Sequence, residues 1–459
     1  MKDMKKNRAF FLTAVATGTM LNPLNSSMIS LALHSIQKDF HLSFTTVSWL
    51  ISSFYLASAV AQPVTGKIGD LLGRKKTFFA GLILVAISAI GAPLSSTFLM
   101  LIVMRLFQSI GSSAIYPSGI ALIRDNIQER QASALAVLSI FASAMTALGP
   151  TLGGFLIVWG DWPAIFRVNF PFILISFLLG LFLFPKDTKK TNSSFKQLLL
   201  QLDVPGIALF GSGMVLLLWF LLSFKTQIHI GAGIAGITLL SLFVWHELKV
   251  KVPFIDIRLF RAHPKLSWVY LQFIVLNIFF YCLFFGLPSY FQDGMHLNVR
   301  TSGLLMLFMS AVSIFISPLT GKWIDKSGSK TPVIVGAILS LAGAVLLTLF
   351  FVDAPYWQMG LILSLLGISY GIGNVVLQAA MLEASPRSII GTTSGLFQTC
   401  RYLGSILSSI VLGLVFGKEI SGWHMEVLGM VLISVASISV LMSLRFAKTG
   451  PAKKPRLLH

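Results

Sequence analysis

The feature that most constrains this chain is a series of apolar stretches long enough to cross a lipid bilayer. A helix needs about 20 apolar residues for this, roughly twice the length of a strand in a membrane barrel. Only helices and closed barrels satisfy their backbone hydrogen bonds in lipid. We therefore predict an all-α polytopic membrane protein with 14 transmembrane helices. The predicted spans are 10–33, 47–66, 77–95, 98–122, 132–158, 164–184, 204–224, 229–248, 266–291, 303–321, 331–351, 357–382, 389–416 and 426–446.

Composition supports a membrane location. Hydrophobic residues make up 55% of the 459 residues and charged residues only 11%, whereas a soluble protein carries about 25% charged residues. The first stretch is too long and too rich in Asn for a cleaved signal peptide, so we interpret it as a span. Cys282 and Cys400, the two cysteines, both lie in apolar stretches. A disulfide framework or a cysteine-based metal site is therefore not expected.

The distribution of basic residues predicts the orientation. The formal net charge of +19 comes from 35 Lys and Arg against 16 Asp and Glu. With a cytoplasmic N-terminus, all but seven of the basic residues fall in cytoplasmic segments, as the positive-inside rule requires. The exceptions are Lys38, Arg167, Lys225, Arg300 and Lys418 on the outer side, and Arg105 and Arg401 within spans. We expect both termini to be cytoplasmic and the bilayer, rather than nucleic acid, to be the partner of these charges.

An internal repeat indicates duplication. Residues 63–75 recur as residues 318–330, at a constant offset of 255 and with seven of thirteen positions identical. Duplicated halves are typical of secondary transporters, whose substrate site lies between them. We predict two pseudo-symmetric six-helix bundles plus two linking helices. The predicted divisions are 1–185 for the N-terminal bundle, 186–264 for a linker with two extra helices, 265–447 for the C-terminal bundle and 448–459 for a basic cytoplasmic tail.

Five motifs, in order along nearly the whole chain, resemble those of the major facilitator superfamily, and in particular its fourteen-helix drug–proton antiporters, which export drugs. The motifs are Gly66-x-x-x-Asp70-x-x-Gly73-Arg74-Lys75, Arg105-x-x-Gln108-x-x-Gly111, Gly149-Pro150-x-x-Gly153-Gly154, Trp162-x-x-x-Phe166-x-x-Asn169-x-Pro171 and Gly395-x-x-Gln398-x-x-Arg401-x-x-Gly404. The first span departs from the group, because Asn25 stands where many members have Asp and His34 where they usually have Pro. Met145 also replaces the leading Gly of the third motif.

The repeated turn is a candidate gate. Glycines let two helix ends approach closely, and an Asp can cap a helix N-terminus or pair with Arg. We predict a latch that stabilises one conformation; the alternative is a solvated hairpin. The predicted gating residues are Gly66, Asp70, Gly73, Arg74, Gly321, Asp325 and Gly328. Gly149, Pro150, Gly153 and Gly154 form a predicted exporter kink, because proline removes a backbone bond and the glycines allow close helix contact.

Polar residues within the spans predict a substrate cavity. Placing Arg at a helix centre costs at least about 2.5–3.5 kcal/mol on insertion scales, so Arg105 and Arg401 need partners or water. Each either ties helices together or lines a cavity. Several polar stripes at helical spacing have the same two interpretations, because Asn and Gln also join membrane helices. The predicted lining residues are Asn22, Asn25, Arg105, Gln108, Asn277, Tyr281, Tyr370, Asn374, Gln378, Gln398 and Arg401.

A proton-binding group is harder to assign. No Asp or Glu falls in the middle of a predicted span, and Asn25 removes the acid that the resemblance leads us to expect there. The candidates near span ends are Asp39, Asp293 and Glu383, with His34 as a non-carboxylate alternative.

These observations favour a proton-coupled exporter of amphipathic drugs or other small molecules in a bacterial cytoplasmic membrane, working as a monomer by alternating access. Two buried arginines and no acid at position 25 favour neutral, zwitterionic or anionic compounds. The alternative is a dedicated exporter of a metabolite, peptide or lipid on the same fold. A membrane enzyme or receptor is disfavoured because no catalytic cluster, metal motif or phosphate loop is present in the sequence. No cofactor or metal is expected.

Overall fold

Most of the described residues are helical in the computed structural model. The described residues are 2–42, 44–47, 49–127, 129–187, 201–223, 228–258, 263–297, 299–416 and 420–448. Within these ranges all regular structure is helical. The predicted tail beyond residue 448 falls outside them, as do Lys189, Lys190, Lys196, Lys225, Arg261 and Lys418 and the side chains of His34, Pro150, Arg300 and Arg387.

Fifteen long helices occur in the described residues. They are α1 (Lys2–Thr19), α2 (Leu21–Asp39), α3 (Trp49–Leu72), α4 (Arg74–Gly91), α5 (Phe98–Asn126), α6 (Gln131–Gly160), α7 (Asn169–Leu183), α8 (Val204–Ser223), α9 (Ile230–Lys249), α10 (Pro264–Ser289), α11 (Val299–Ser327), α12 (Lys330–Phe350), α13 (Tyr356–Ala384), α14 (Ile390–Phe416) and α15 (Gly422–Lys448). Short helical turns lie at Phe44–Val47, Ala92–Leu94, Ala164–Arg167, Tyr290–Gly294 and Arg387–Ile389. α1 and α2 form one rod, because the Met20 N–H donates to Ala16 O at 2.9 Å and the Leu24 N–H to Met20 O at 3.1 Å.

Each predicted span falls on helical residues, the first of them on the rod of α1 and α2, but not every helix qualifies as a span by length and hydropathy. Ten of the described helices do, namely α4, α5, α7 with the turn before it, and α9 to α15. The described apolar parts of α6 and α8 are shorter, at Gln131–Ala142 and Val204–Phe220. α2 is rich in Ser and Asn, which lowers its hydropathy. The number fourteen therefore stays a prediction.

The repeated turn has a conformation that explains its glycines. Gly73, between α3 and α4, has a φ of 114°, and Gly328, between α11 and α12, has a φ of 75°. Residues with a Cβ atom rarely adopt φ angles in this range, whereas glycine adopts them without strain. The two glycines are 255 residues apart, so the repeat preserves a backbone geometry as well as a sequence. Asp187 then caps α4 by accepting from the N–H groups of Lys75 and Lys76, both at 3.0 Å.

The helices pack in the same pairs in both halves of the chain. α3 packs on α5 and α1 on α7 in the first half, and α11 packs on α13 and α10 on α15 in the second. The halves meet mainly along two helix pairs, α6 with α11 and α3 with α14, with further contacts of α5 with α14 and of α6 with α13. Each pair joins a helix of one half to a helix of the other, so these two seams must change if the halves move relative to each other.

The helix pair α8 and α9 lies beside one of these seams. The two helices pack on each other, and α8 also contacts α3 and α14, which belong to different halves. Phe210 and Met214 of α8 share an apolar cluster with Leu56 of α3 and Ile406 of α14. The linking helices therefore cover the boundary between the halves.

Buried carboxylates hold the ends of this helix pair together. The Asp203 carboxylate, 5% exposed, accepts from the Gly206 N–H at 3.1 Å and the Phe254 N–H at 3.2 Å, and lies 2.8 Å from His246 Nε2. Burial opposes ionisation, but the contact with His246 and the two N–H groups outweigh it, so the pKa of Asp203 lies below its usual value. The segment that follows α9 is also bonded to the repeated turn, because Lys67 Nζ donates to Pro253 O at 2.6 Å.

Replacement of Asp203 by Asn should loosen the segment after α9. The variant loses the charge and one of the two acceptor oxygens, and such a loss costs about 1–3 kcal/mol. We expect the amides of Phe254 and Ile255 to exchange with deuterium about tenfold faster or more, measured by mass spectrometry on the protein in lipid nanodiscs. The exposed Asp256 provides the control, because Asp256→Asn should leave those two amides unchanged. Equal exchange in the two variants would contradict this role.

Candidate functional site

The carboxylate of Asp70 joins the two halves at the repeated turn. It accepts from the backbone N–H of Gly391 at 3.0 Å and of Thr392 at 2.9 Å, and from Thr392 Oγ1 at 3.1 Å. Gly391 and Thr392 are the second and third residues of α14, whose N–H groups have no partner within the helix. A carboxylate at this position satisfies those donors and interacts favourably with the helix dipole. Asp70 therefore caps a helix of the opposite half.

Asp325, the repeat partner of Asp70, makes the same contact in the reverse direction. Its carboxylate accepts from the N–H of Ala132 at 3.1 Å and of Ser133 at 3.2 Å, and from Ser133 Oγ. Ala132 and Ser133 are the second and third residues of α6. The two halves thus exchange equivalent helix caps, and we call these two caps the gate. The end of the bundle that carries it, with the turns at Gly73 and Gly328, is called the basic face.

Glycines allow the backbones to meet at the gate. A Cβ atom on Gly66 would overlap the carbonyl of Gly391. A Cβ atom on Gly321 would lie 2.8 Å from Ser133 Cα and 2.9 Å from Ala132 O. These distances are too short for real side chains, so Gly66 and Gly321 are places where α3 and α11 touch the start of a helix in the other half. The basic face is closed in this structure.

Arg74 supports the first cap from one side. Its guanidinium lies 3.5 Å from Asp70 Oδ1, contacts the Asp125 carboxylate and donates to Ala121 O at 3.2 Å. Burial raises the pKa of Asp70 above its usual value, although Arg74 and the N–H groups of α14 favour the ionised form. A separation of the halves that exposed Asp70 to water would therefore change its proton affinity.

A cavity of about 320 Å³ lies between the halves. Of the predicted lining residues, six surround it: Asn22, Tyr281, Asn374, Gln378, Gln398 and Arg401. Tyr370 lies in a small adjoining pocket of about 40 Å³, which Arg401 and Asn374 also line. The lining of the cavity, as far as the described residues define it, includes one cationic side chain, Arg401, and no Asp or Glu. Its volume is at the lower end of the range for small-molecule sites.

Hydrogen bonds between the halves cross the cavity wall. Tyr402 OH donates to Asn22 Oδ1 at 3.2 Å and accepts from Gln62 Nε2 at 3.2 Å. Gln378 of α13 donates to Tyr116 OH of α5. Each bond joins a residue of the first half to a residue of the second. Groups that could bind a substrate are therefore also groups that hold the halves together in this conformation.

Four predicted lining residues lie outside the cavity. Arg105, 1% exposed, donates to Asn25 O at 3.0 Å and to Leu50 O at 3.4 Å, and its guanidinium lies 4.2 Å from the centre of the Phe54 ring. It also donates to Gln108, so it ties α5 to α2 and α3. Arg105 therefore joins helices, which was the alternative to lining a cavity. It does so because carbonyl groups of the first half accept hydrogen bonds from its guanidinium.

The other two polar residues outside the cavity also bond within their own half. Asn25 and Asn169 exchange two amide hydrogen bonds of 2.9 Å, which join α2 to α7. Asn277, fully buried, donates to Phe273 O at 2.7 Å within α10.

Three of the proton-coupling candidates, Asp39, Asp293 and Glu383, lie at or near helix ends and do not line the cavity. The exposed Asp39 accepts from Trp162 Nε1 at 2.6 Å, and Asp293 is exposed in the turn after α10. Glu383, at the end of α13, accepts from Ser329 Oγ at 3.0 Å. The side chain of His34 is outside the described part of the chain. None of these observations tests a role in coupling, which stays a prediction for all four residues.

The predicted exporter kink lies where α6 meets α2. A Cβ atom on Gly149 would overlap Ser27, and one on Gly153 would lie 3.3 Å from Met28 Cβ. Gly154 is half-buried on the same helix. The glycines thus provide close helix contact within the first half, and a kink at Pro150 stays a prediction.

Tyr55, Tyr116 and Tyr402 line the cavity but were not predicted to do so. The sequence contains only 8 Tyr beside 37 Phe. A Tyr within a span is therefore unusual here, and its hydroxyl could have marked it as a lining residue. Four of the tyrosines line the cavity and Tyr370 its adjoining pocket. Thr392 was also missed, because its role follows from a backbone N–H group, which any residue except proline provides.

Comparison with known proteins establishes the family. The family model described as Major Facilitator Superfamily matches residues 15–409. The chain belongs to the major facilitator superfamily. It is 70% identical over 443 residues to the uncharacterized MFS-type transporter YwoD of Bacillus subtilis, with 96% of this chain and 98% of YwoD covered. Membership of this superfamily and the similarity to a transporter indicate that this chain is a transporter rather than an enzyme.

Two relatives have names that describe export. The tetracenomycin C resistance and export protein of Streptomyces glaucescens is 27% identical, covering 89% of this chain and 76% of that protein. The multidrug efflux pump LfrA of Mycolicibacterium smegmatis is 26% identical, covering 88% and 80%. Among solved structures, the proton:xylose symporter XylE has a TM-score of 0.68 at 14% identity, covering 96% of each chain. This last similarity concerns the fold alone.

Removal of either cap should open the basic face. Asp70→Ala and Asp325→Ala each lose a helix cap, which costs about 0.5–2 kcal/mol. We expect an engineered cysteine at Ser394, a fully buried position, to react several-fold faster with a membrane-impermeant maleimide, in a background that lacks Cys282 and Cys400. Asp187→Ala is the matched control, because it removes a cap that does not join the two halves. An equal increase in that control would contradict the gate.

The two membrane arginines should differ in their effect on stability. Arg105→Gln leaves the carbonyl groups of Asn25 and Leu50 without their donor, at a cost of about 1–3 kcal/mol for each buried group. Arg401→Gln changes a cavity wall instead. We expect thermal unfolding in detergent to shift downward by several degrees for Arg105→Gln and by clearly less for Arg401→Gln. The reverse order would exclude a purely structural role for Arg105.

Proposed function

We propose that this superfamily member is a proton-coupled exporter of amphipathic small molecules that works by alternating access in a bacterial cytoplasmic membrane. The observation that carries the proposal is the pair of reciprocal caps at the basic face below a cavity between the halves. Such caps form and break as units, because each carboxylate binds a helix of the opposite half. In this proposal the basic face is cytoplasmic, as are both termini, and the structure corresponds to a state that is closed toward the cytoplasm.

The chemistry of the cavity supports an amphipathic substrate. Tyr281, Phe284 and Phe285 supply aromatic surface, and Asn374 and Gln378 supply amide groups. Arg401 contributes positive charge without a carboxylate in the described lining. A dication would meet this charge unfavourably, whereas a neutral, zwitterionic or anionic compound would not. The names of the efflux relatives support multidrug export for this chain.

Proton coupling is the proposed energy source. Each elementary charge that crosses 100 mV supplies about 2.3 kcal/mol, which corresponds to roughly a fifty-fold concentration ratio. Asp70 is one group whose environment must change when the gate opens, and Asp39, Asp293, Glu383 and His34 remain further candidates. A carboxyl group whose exposure differs between states links proton binding to conformation.

The second candidate function is export of one dedicated metabolite, peptide or lipid. The modest cavity volume of about 320 Å³ favours it, as does the name of the tetracenomycin relative, which specifies a single compound. Competition among unrelated compounds separates the two candidates, because a multidrug exporter tolerates different structures and a dedicated exporter does not.

Everted membrane vesicles provide the test. In vesicles acidified inside by respiration and loaded with a pH-sensitive dye, addition of a substrate should release protons and restore dye fluorescence. Zwitterionic fluoroquinolones should give a larger response than dicationic antiseptics, and Arg401→Gln should reduce the response to an anionic dye at least severalfold. Asp256→Asn serves as the control variant. Export of dications in preference to zwitterions would contradict the proposed substrate class, and transport that is indifferent to a protonophore would contradict coupling.

A further inference from the structure

Two buried carboxyl side chains meet where α8 begins and α9 ends. Asp203, just before α8, is 5% exposed, and Glu247, in the last turn of α9, is fully buried. We call these two residues the acid pair. A Cβ atom on Gly206 would overlap Asp203 Oδ2 and lie 2.5 Å from Glu247 Oε1, so these oxygens are within about 5 Å of each other. Two ionised carboxylates this close repel each other, and burial increases that cost.

The hydrogen bonds place a proton on Glu247. Asp203 already accepts from backbone N–H groups and contacts His246, which favours its ionised form. Glu247 Oε2 accepts from the Ile255 N–H at 2.9 Å, whereas Oε1 has no donor partner among the described residues. A buried acceptor without a donor is costly. A protonated Oε1 is itself a donor, and Asp203 Oδ2 is the neighbouring acceptor.

The backbone holds Asp203 in an uncommon conformation. Its φ is 56°, in the left-handed region that residues with a Cβ atom adopt rarely and Asp more readily than most. Such a conformation persists where the surrounding contacts hold it. Here the contacts of the carboxylate hold it, and the missing side chain of Gly206 leaves room for the second carboxyl group. The local structure therefore brings the two acids together.

The charged groups that face the acid pair come from α3, from α9 and from the segment after α9, because α8 contains no ionisable residue. They are Lys67 and Asp70 of α3, His246 of α9, and Asp256 of the segment after α9. Asp70 is bonded at the gate and Asp256 is exposed. One lysine against two carboxyl groups leaves an excess negative charge, which one proton removes. The side chain of His246 is 23% exposed and gives protons a route from water to the pair.

The acid pair is connected to the repeated turn through three successive residues. The N–H groups of Phe254 and Ile255 donate to the pair, and Pro253 O accepts from Lys67 Nζ at 2.6 Å. Lys67 directly follows Gly66, one of the glycines at the gate. We call this bonded arrangement of the segment after α9 its docked state. Separation of the two acids would remove two of its three bonds.

We propose that Asp203 and Glu247 form a proton-binding site that docks the segment after α9 on the repeated turn. Glu247 Oε1 holds the proton and donates it in a hydrogen bond to Asp203 Oδ2, so the docked pair carries one negative charge. Release of the proton to water, past His246, leaves two negative charges that repel each other. Docking is therefore complete at low pH and weakens as the pH rises through the titration of the pair. The site does not depend on the proposed function, because its proton can be measured without transport.

Infrared difference spectroscopy on the full-length protein in lipid nanodiscs tests for the proton. A protonated carboxyl group has a carbonyl band that a carboxylate lacks. Between about pH 6 and about pH 9, the unmodified protein should lose one such band, which Asp256→Asn retains and Glu247→Gln lacks. Asp203→Asn should move the loss of this band at least about one pH unit lower, because the neighbouring negative charge is gone. The proposal is overturned if Glu247→Gln removes no titrating band, or if Asp203→Asn leaves the midpoint unchanged.

Hydrogen exchange tests the docking. Protection factors of the Phe254 and Ile255 amides, corrected for the pH dependence of chemical exchange, are measured by mass spectrometry in the same nanodiscs. In the unmodified protein and in Asp256→Asn they should fall about tenfold or more over the same pH range. Glu247→Gln should stay protected throughout, because its neutral amide still donates to Asp203 and accepts from Ile255. An equal fall in Glu247→Gln would contradict the proposal, as would pH-independent protection in the unmodified protein. If Glu247→Gln does not fold, the infrared shift in Asp203→Asn still decides.

Discussion

The structure depends on two carboxylates that each cap a helix of the opposite half. Asp70 binds the start of α14 and Asp325 the start of α6, in both cases through the second and third N–H groups of the helix. The interaction is directional and charged, and it disappears when the two helix ends separate by a few ångströms. Because the caps are related by the internal repeat, both seams between the halves are closed at the same face.

The membrane explains why the polar groups are distributed as they are. Lipid supplies no hydrogen-bond partners, so a polar side chain within a span is favourable only where the protein or a cavity satisfies it. Arg105 finds backbone carbonyl groups inside one half and becomes part of its framework. Arg401 stands at the boundary between halves, where its Nε has no hydrogen-bond partner among the described residues, and it lines the cavity. The same residue type thus has a structural role at one position and supports a binding role at the other.

The sequence predicted the helices and the repeated turn well, because both follow from local rules. Apolar length places a helix in the bilayer, and Gly73 and Gly328 lie where the repeated turn takes a positive φ, which glycine adopts without strain. Which polar residues meet across the cavity was harder to predict. Asn25, Gln108 and Asn277 have the spacing of lining residues, but bonds to near neighbours determine their orientation. Helical periodicity gives the face of one helix, whereas a cavity depends on how several helices are rotated against one another.

The most direct test of this account is a distance across the basic face in the membrane. Spin labels at Asn126 and Ser388, exposed positions in different halves, report on the gate in a background without Cys282 and Cys400. In nanodiscs without substrate, double electron–electron resonance should give one dominant short distance that matches the closed basic face. A dominant population with this face separated would contradict the claim that the reciprocal caps of Asp70 and Asp325 hold the resting protein closed.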